Sequence, residues 1–420
     1  MKSKNEIFFV ENTKAFKYKV LNWVNQFDTF CFLDNNHYQF ETPSFDGLLA
    51  VGVKQSIELH AHSLFQDIKE FHTKHAEWLF GHFNYPSATK DLQDFPAGYF
   101  FVPQYIIKIK EQQVTIISST LSPEVIFKEI ENYSDEFTHL NSNNVEFKEE
   151  VSKEKYIETI TQLQKHIQRG DCYEINFCHS FFANDATINP LYLYKQLTKI
   201  SPNPFAALYK LKDKYCLCAS PERFIKKTGT TIISQPIKGT SKRFIDDHQQ
   251  DELSKNNLLK SEKDRSENVM IVDLVRNDFG KICMDGMVQV KELFGVYSFP
   301  QVHQMISTIQ GEVSEDTHWS SIVEACFPMG SMTGAPKKRV MELIEQYEIS
   351  PRGLFSGSIG YITPNGDFDF NVVIRSIIYN QIQKTISIKV GSGITIHSQP
   401  EEEYQECIMK VDAIRRLVIQ

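Results

Sequence analysis

The sequence predicts a mixed α/β protein. Residues 1 to about 120 are dominated by aromatic and β-branched runs cut by polar turns, the pattern of strands. The C-terminal half sets further strands between segments whose apolar residues recur at helical spacing. At 420 residues the chain exceeds what one ordinary core usually needs, so it is either one large α/β unit or two domains.

In chain order, the N-terminal strands are FFVENT, TFCFLDN, YQFETPSF, LLAVGV and PQYIIKIKEQQVTIISST. Between them, HAHSLFQDIKEFHTKHAEWLFGHF reads as one helix. Its histidines (His60, His62, His72, His75 and His82) match no metal-ligand spacing and are expected in surface or capping roles. The polar, acidic segment 134–155 is the expected connection between a strand-rich part, 1–150, and a second part, 151–420. Tyr156, Ile160 and Leu163 then make a helical stripe that Gly170 ends, and 172–182 is a strand. The strands YCLCAS, TTIISQPI, FDFNVVIRSIIYN and TISIKVGSGITI follow, separated by helices over about 251–277 and 336–348. A helix over about 400–419 closes the chain.

Composition narrows the class. A content of 41% apolar and 23% charged residues is that of a soluble globular protein. A net charge of −8 argues against a nucleic-acid surface and against binding to anionic membranes. No run of roughly 18 apolar residues could span a bilayer, and the first residues lack the apolar core of a signal peptide. The eight cysteines form neither CxxC nor a Cys/His array, and Cys216 and Cys218 share a strand. They read as reduced thiols of a cytosolic protein.

Several short segments place charged or flexible residues where an element should be buried. In 327–345, Gly330 and Gly334 precede Pro336 and a helix whose start could take an anion. The stretch lacks the phosphate-loop pattern, so a carboxylate is the expected guest. In SPERF, Glu222 follows an apolar strand, and burial there would make it a general acid; taken alone, these residues fit an ordinary Glu–Arg surface turn better. In QPIKGT, Lys238 precedes a glycine at a strand end, where desolvation would make its amine nucleophilic; a lysine reaching for solvent is the plain alternative. In SENVMIVDLVRND, Glu267 shares a helix face with Met270, Ile271 and Leu274, so it needs a cation or a hydrogen-bond partner or else stays protonated; Mg²⁺ is one solution, and Arg265 or Arg276 is the plain alternative. In the last segment Gly391 and Gly393 bracket Ser392, Glu403, Glu406 and Lys410 line one face of the closing helix, and Glu267 and Glu406 could share one Mg²⁺. A solvated acidic face is the other reading.

Taken together, GDCYEINF, SPERF, PIKGT, ENVMIVDLVRND, VHQM, FPMGSMTGAPK, GSIGY, DFNVVIRS, GSGI and EEEYQE resemble the chorismate-utilising enzymes and occur in that family's order. The resemblance covers roughly 156–417 and, more weakly, FETPSFDGLLAVGV. It implies an α+β fold, an α/β sandwich of two antiparallel sheets packed together with helices outside. In that fold 1–150 is a strand-rich part of the same globule and 151–420 is the catalytic region. It implies Mg²⁺ held by Glu267 and Glu406, with Glu403 close by. It also implies a substrate surrounded by Gly239, Thr240, His303, Ser331, Arg375, Gly391, Gly393 and Lys410. Arg375 and Lys410 suit chorismate, which carries two carboxylates.

Within the family, Tyr173-Glu174-Ile175-Asn176 is similar to the YQxN of the ammonia-using members, and PIKGT is similar to the aminodeoxychorismate synthases, where anthranilate synthases carry PIAGT. The resemblance then implies Lys238 as nucleophile and Glu222 as acid, with both pKa values moved toward 7. It also implies ammonia from a separate glutamine amidotransferase subunit, and a product leading to p-aminobenzoate and folate. Two departures stand out: Glu174 replaces Gln, and Phe355 replaces a tyrosine common in anthranilate synthases. Anthranilate synthesis, or a catalytically silent chorismate-binding regulator, are the competing expectations.

Overall fold

A computed structural model describes residues 4–38, 42, 44–90, 94–139 and 145–419. Part of the expected strand YQFETPSF (39–41 and 43) and part of the expected connection (140–144) lie outside the described residues.

Every strand pairing is antiparallel, and two layers diverge from one long strand, Gly98–Lys110. Along one edge this strand pairs with Leu48–Leu59. Along the other, its first residues pair with Leu79–Phe83 and its last with Gln113–Ser118. One layer continues from Leu48–Leu59 through Thr29–Asp34, Phe205–Leu211, Lys214–Ser220, Ser376–Asn380 and Thr385–Ile394 to Glu174–Ala183. The other continues from Leu79–Phe83 through Ser358–Ile362, Phe368–Asn371, Arg223–Thr228 and Thr231–Gln235 to Val302–Glu312. Val302–Glu312 also carries Ile237–Lys242 and Gln289–Ser298. Strands from the first 150 residues thus sit inside both layers.

Burial explains the layering. Leu33, Ala50, Phe80, Phe101, Tyr209, Cys216, Cys218, Ile359 and Ile378 fill the space between the sheets. The outer face of the first sheet is covered by helices including Lys153–Gln168, Pro190–Ile200 and Pro400–Ile419, through Tyr156, Ile160, Leu163, Leu191, Tyr404, Cys407 and Val411. Leu64–His75, Glu262–Gly280 and Trp319–Cys326 cover the second. The result is the expected α+β sandwich, with the two sheets hydrogen-bonded into one continuous ladder. Among the described residues, no helix is long and apolar enough to cross a membrane.

Some expected elements differ. The segment read as one helix over 60–83 is a helix, Leu64–His75, followed by the strand Leu79–Phe83. Ala76 takes a left-handed conformation, φ 46°, and stops the helix. His72 and His82 are buried and held by partners: His72 by the Trp319 indole and the Thr363 carbonyl, His82 by Tyr209 and the Pro96 carbonyl. The single helix expected over 251–277 is two, His248–Lys260 and Glu262–Gly280, with Ser261 capping the second through the Asp264 N–H.

Gly81 and Gly360 face each other across Leu79–Phe83 and Ser358–Ile362. A Cβ on Gly360 would lie 2.1 Å from the Asp369 carbonyl oxygen, and one on Gly81 1.9 Å from that of Tyr99. The strands pass too closely there for any side chain. Gly360→Ala is therefore expected to destabilise the fold by about 1–3 kcal/mol, measured as a lower urea midpoint at unchanged m-value.

Candidate active site

The site forms where Thr385–Ile394 and Glu174–Ala183 face Ile237–Lys242 and Glu262–Gly280. Lys238 Nζ donates to Glu174 Oε1 and lies 3.9 Å from Glu267 Oε2. Gly393 makes this contact possible, because a Cβ there would sit 2.8 Å from Lys238 Nζ and 2.9 Å from Glu174 Oε1. Gly391, on the same strand face, leaves room for Asn176 in the same way, its would-be Cβ lying 2.4 Å from Asn176 Oδ1. Glu174 Oε2, Asn176 Oδ1 and Glu267 Oε1 are buried acceptors without a protein partner. The cluster therefore has capacity to take up donors or a cation.

Glu222 follows the strand Lys214–Ser220 and is 4% exposed. Ser331 Oγ donates to its Oε1 at 2.5 Å. Burial pushes the Glu222 carboxyl up to about 7, against the Ser331 hydrogen bond and the charge of Lys238. That fits the expected acid. The expectation that Lys238 also moves toward 7 is not met. Burial is the largest single influence and pulls the amine down, but Glu174, Glu267 and Glu222 together outweigh it and hold it above the ordinary lysine value. The departure Glu174 is the first of these. Removing its charge by Glu174→Gln is expected to bring Lys238 down by about one unit or more, and so to speed carbamylation of Lys238 by cyanate at pH 8 about tenfold; peptide mass mapping reads this directly.

The remaining expected residues sit on several different segments. In 327–345, Gly330–Met332 is a short 3-10 turn and Gly334–Ala335 a two-residue strand paired with Glu174 and Ile175. Gly334 serves close strand contact, since a Cβ there would be 2.0 Å from the Glu174 carbonyl oxygen. Gly239, φ 94°, packs on Asp264 at the start of Glu262–Gly280, and Thr240 is exposed opposite Gln304. His303 is buried, with Nδ1 2.9 Å from Ser298 Oγ and Nε2 3.1 Å from Asp251 Oδ1. Lys410 Nζ donates to the Gly391 carbonyl at 2.9 Å and lies 2.7 Å from Glu406 Oε1. Arg375, φ 50°, is half-buried without an acidic partner among the described residues, and burial pulls its guanidinium below the ordinary value. Phe355 is buried among apolar side chains outside the second sheet.

Three glutamates were the expected metal ligands. Glu267 carries the buried, unpartnered Oε1, and burial raises its pKa against the pull of Lys238. Glu406 is half-exposed; burial raises its carboxyl, but Lys410, Lys263 and Lys238 outweigh this and keep it below the ordinary value. Lys263 and Lys238 act on both carboxylates, so the two share one neighbourhood. Glu403 is turned to Ser392, whose hydroxyl donates to its Oε2. Among the described residues no group of three or more His, Cys, Asp or Glu side chains is placed to hold a metal ion.

Sequence reasoning passes over Glu348 and Arg352. They are buried and join the strand that carries Glu174 to the turn that carries Ser331. Their i, i+4 spacing after a helix was the one available signal, and many surface pairs share it.

A sandwich of this kind with a lysine, a buried carboxyl whose pKa burial raises and acidic side chains clustered at its strand ends defines a class, and the comparisons agree with it. The chorismate binding enzyme family matches residues 31–416, and the chain belongs to that family. Aminodeoxychorismate synthase component 1 of Escherichia coli is 41% identical over 264 residues, which is 63% of this chain and 57% of that protein. The component 1 of Bacillus subtilis is 35% identical over 265 residues, 63% of this chain and 56% of that protein. An anthranilate synthase component I-like protein of Synechocystis is 30% identical over 368 residues, 84% of this chain and 75% of that protein. The matches thus span little more than half the length of the two component 1 relatives. Among solved structures, anthranilate synthase component I of Streptococcus pneumoniae superposes with a TM-score of 0.76 at 23% identity, covering 90% of this chain and 93% of that one. The menaquinone-specific isochorismate synthase of Escherichia coli reaches 0.79 at 16% identity, covering 100% of this chain and 94% of that one. These two establish the fold alone.

Proposed function

We propose that this chain is an aminodeoxychorismate synthase component I, converting chorismate and ammonia to 4-amino-4-deoxychorismate, a precursor of p-aminobenzoate and folate. The observation that carries the reading is Lys238 seated under Gly393 beside a Glu222 whose pKa of about 7 keeps it largely protonated below neutrality. Chain-level similarity to the component 1 relatives supports it.

In this reading Lys238 Nζ, once deprotonated, forms a bond to C2 of chorismate while the C4–O bond breaks, and Glu222 gives its proton to the departing hydroxyl, which leaves as water. Ammonia then bonds to C4, the C2–N bond breaks, and the electrons return to Lys238. The proton that Lys238 must first lose has Glu174 Oε1 as its contacting acceptor. Arg375 and Lys410 orient the substrate carboxylates. Mg²⁺ would be held by Glu267 and Glu406, and it would neutralise the ring carboxylate. The unpartnered Glu267 Oε1 fits that assignment. Ammonia would come from a separate glutamine amidotransferase subunit in the cytosol, with free ammonium able to replace it in vitro.

The test is purified chain with chorismate, Mg²⁺ and ammonium, read by mass with and without an aminodeoxychorismate lyase. p-Aminobenzoate that forms only with the lyase is the expected result. Fluorescent anthranilate formed without the lyase would instead place the chain in tryptophan synthesis. Chorismate that binds but is not consumed would make it a silent regulator.

A further inference from the structure

The strand Glu174–Ala183 is paired along one edge with Thr385–Ile394 from end to end. Its other edge has a gap. Near the start, the Tyr173 and Asn176 N–H groups donate to the Ala335 and Thr333 carbonyls at 2.8 and 2.7 Å. Near the end, the Ser180 carbonyl accepts from the Glu150 N–H at 2.9 Å, and Phe181 and Phe182 pair with Glu149 and Lys148. Among the described residues no strand pairs opposite Asn176–Cys178 on this edge. Two side chains stand in for one. Arg352 Nη2 donates to the Asn176 carbonyl at 2.6 Å, and Glu348 Oε1 accepts from the Cys178 N–H at 2.8 Å. The two are joined to each other, Arg352 Nε to Glu348 Oε2 at 2.9 Å and Nη2 to Oε1 at 2.6 Å. Arg352 Nη1 reaches a third segment, donating to the Met332 carbonyl at 2.6 Å, and the guanidinium lies 4.5 Å from the centre of the Tyr85 ring.

Arg352 is 3% exposed and Glu348 7%. An apolar pair of similar volume is easier to bury than an ion pair. What the ion pair adds is geometry, because a planar guanidinium can hold separated acceptors at fixed distances. Its acceptors bracket the reacting groups. Asn176 is two residues from Glu174, which contacts Lys238. Met332 follows Ser331, which donates to Glu222.

We propose that Arg352, held by Glu348, is a positioning residue that fixes the strand carrying Glu174 and the turn carrying Ser331 relative to each other, and so sets the nucleophile against the acid. The consequence for turnover rests on the proposed function; the mechanical coupling does not. The test uses the full chain with Arg352→Lys, which keeps the charge but not the reach, and with the double change Glu348→Leu/Arg352→Met, which leaves no unpaired buried charge. Amide exchange of peptides containing 174–178 and 330–333 is expected to rise together in both variants, with the Thr385–Ile394 strand unchanged. With chorismate and ammonium, kcat is expected to fall about 10²-fold at a nearly unchanged KM. Adding Ser331→Ala to Arg352→Lys is expected to cost little more, because the serine is already displaced. A folded apolar double variant with normal exchange and normal kcat overturns the proposal. So does loosening of only one of the two segments, or fully additive Ser331→Ala and Arg352→Lys effects. If the unmodified chain does not turn over chorismate, the proposed function fails, and the exchange result still decides the coupling.

Discussion

Replacing Lys238 by alanine is expected to lower formation of 4-amino-4-deoxychorismate by on the order of 10⁴-fold or more. The size follows from what the amine would do: it supplies the covalent bond that splits one difficult displacement into two easier ones. The two groups in ion-pair range of Nζ, Glu174 and Glu267, are carboxylates and cannot replace the amine. The fold should tolerate the change less simply than a surface mutation. Removing the amine leaves Glu174, whose side chain is 2% exposed, without the partner of its Oε1. A buried carboxylate left this way takes up a proton or shifts position. Lys238→Ala/Glu174→Gln removes that complication and should be as inactive as Lys238→Ala alone. Steady-state assay by mass, with melting curves for each variant, separates lost chemistry from lost fold. Full activity of the double variant would exclude the covalent route.

The chemistry-bearing residues were legible because they stand against local pattern. Lys238 precedes a glycine at the end of an apolar strand, and Glu222 follows a proline after one. The glycines 391 and 393 alternate on a strand, where a side chain would otherwise be expected on each. What could not be read is distance between segments. Glu174 and Lys238 are 64 positions apart in sequence, and nothing in either segment announces their contact or the upward shift of the lysine that follows from it. The sheet strand Leu79–Phe83 was hidden in an apolar continuation of the preceding helix, since alanine at 76 gives no warning of a left-handed residue. Phe205–Leu211 and Val302–Glu312 went unread as strands for a related reason. The first is buried on both faces and shows no alternation, and the second is identified only by its three neighbours in the sheet.

Glu222→Gln is expected to reduce turnover by about 10²–10⁴-fold, while making the fold less sensitive to alkaline pH. Both effects come from one carboxyl. A glutamine keeps the size and still accepts from Ser331, but it has no proton to give to the departing hydroxyl. In the unmodified chain the acid form is the active one, so the Glu222-dependent part of the rate should be full below about pH 7 and fall as pH rises through that value. The stability effect has the same origin. Glu222 is raised from 4.5 to about 7 on folding, chiefly by burial. Below the unfolded value both states hold the proton, and the group has no pH-dependent effect. Between the two values the unfolded chain releases a proton that the folded chain retains, so stability falls with rising pH, and above about 7 the loss is complete. The interval corresponds to a loss of about 3 kcal/mol. Glutamine does not titrate, so urea midpoints of Glu222→Gln should pull ahead of the unmodified chain from pH 5 to pH 8 and coincide in slope below pH 4. If the two curves instead run parallel across that range, Glu222 is ionised throughout and cannot be the acid. The pH dependence of the rate would then rest on Lys238, where the sign is opposite: activity should rise with pH as the amine loses its proton.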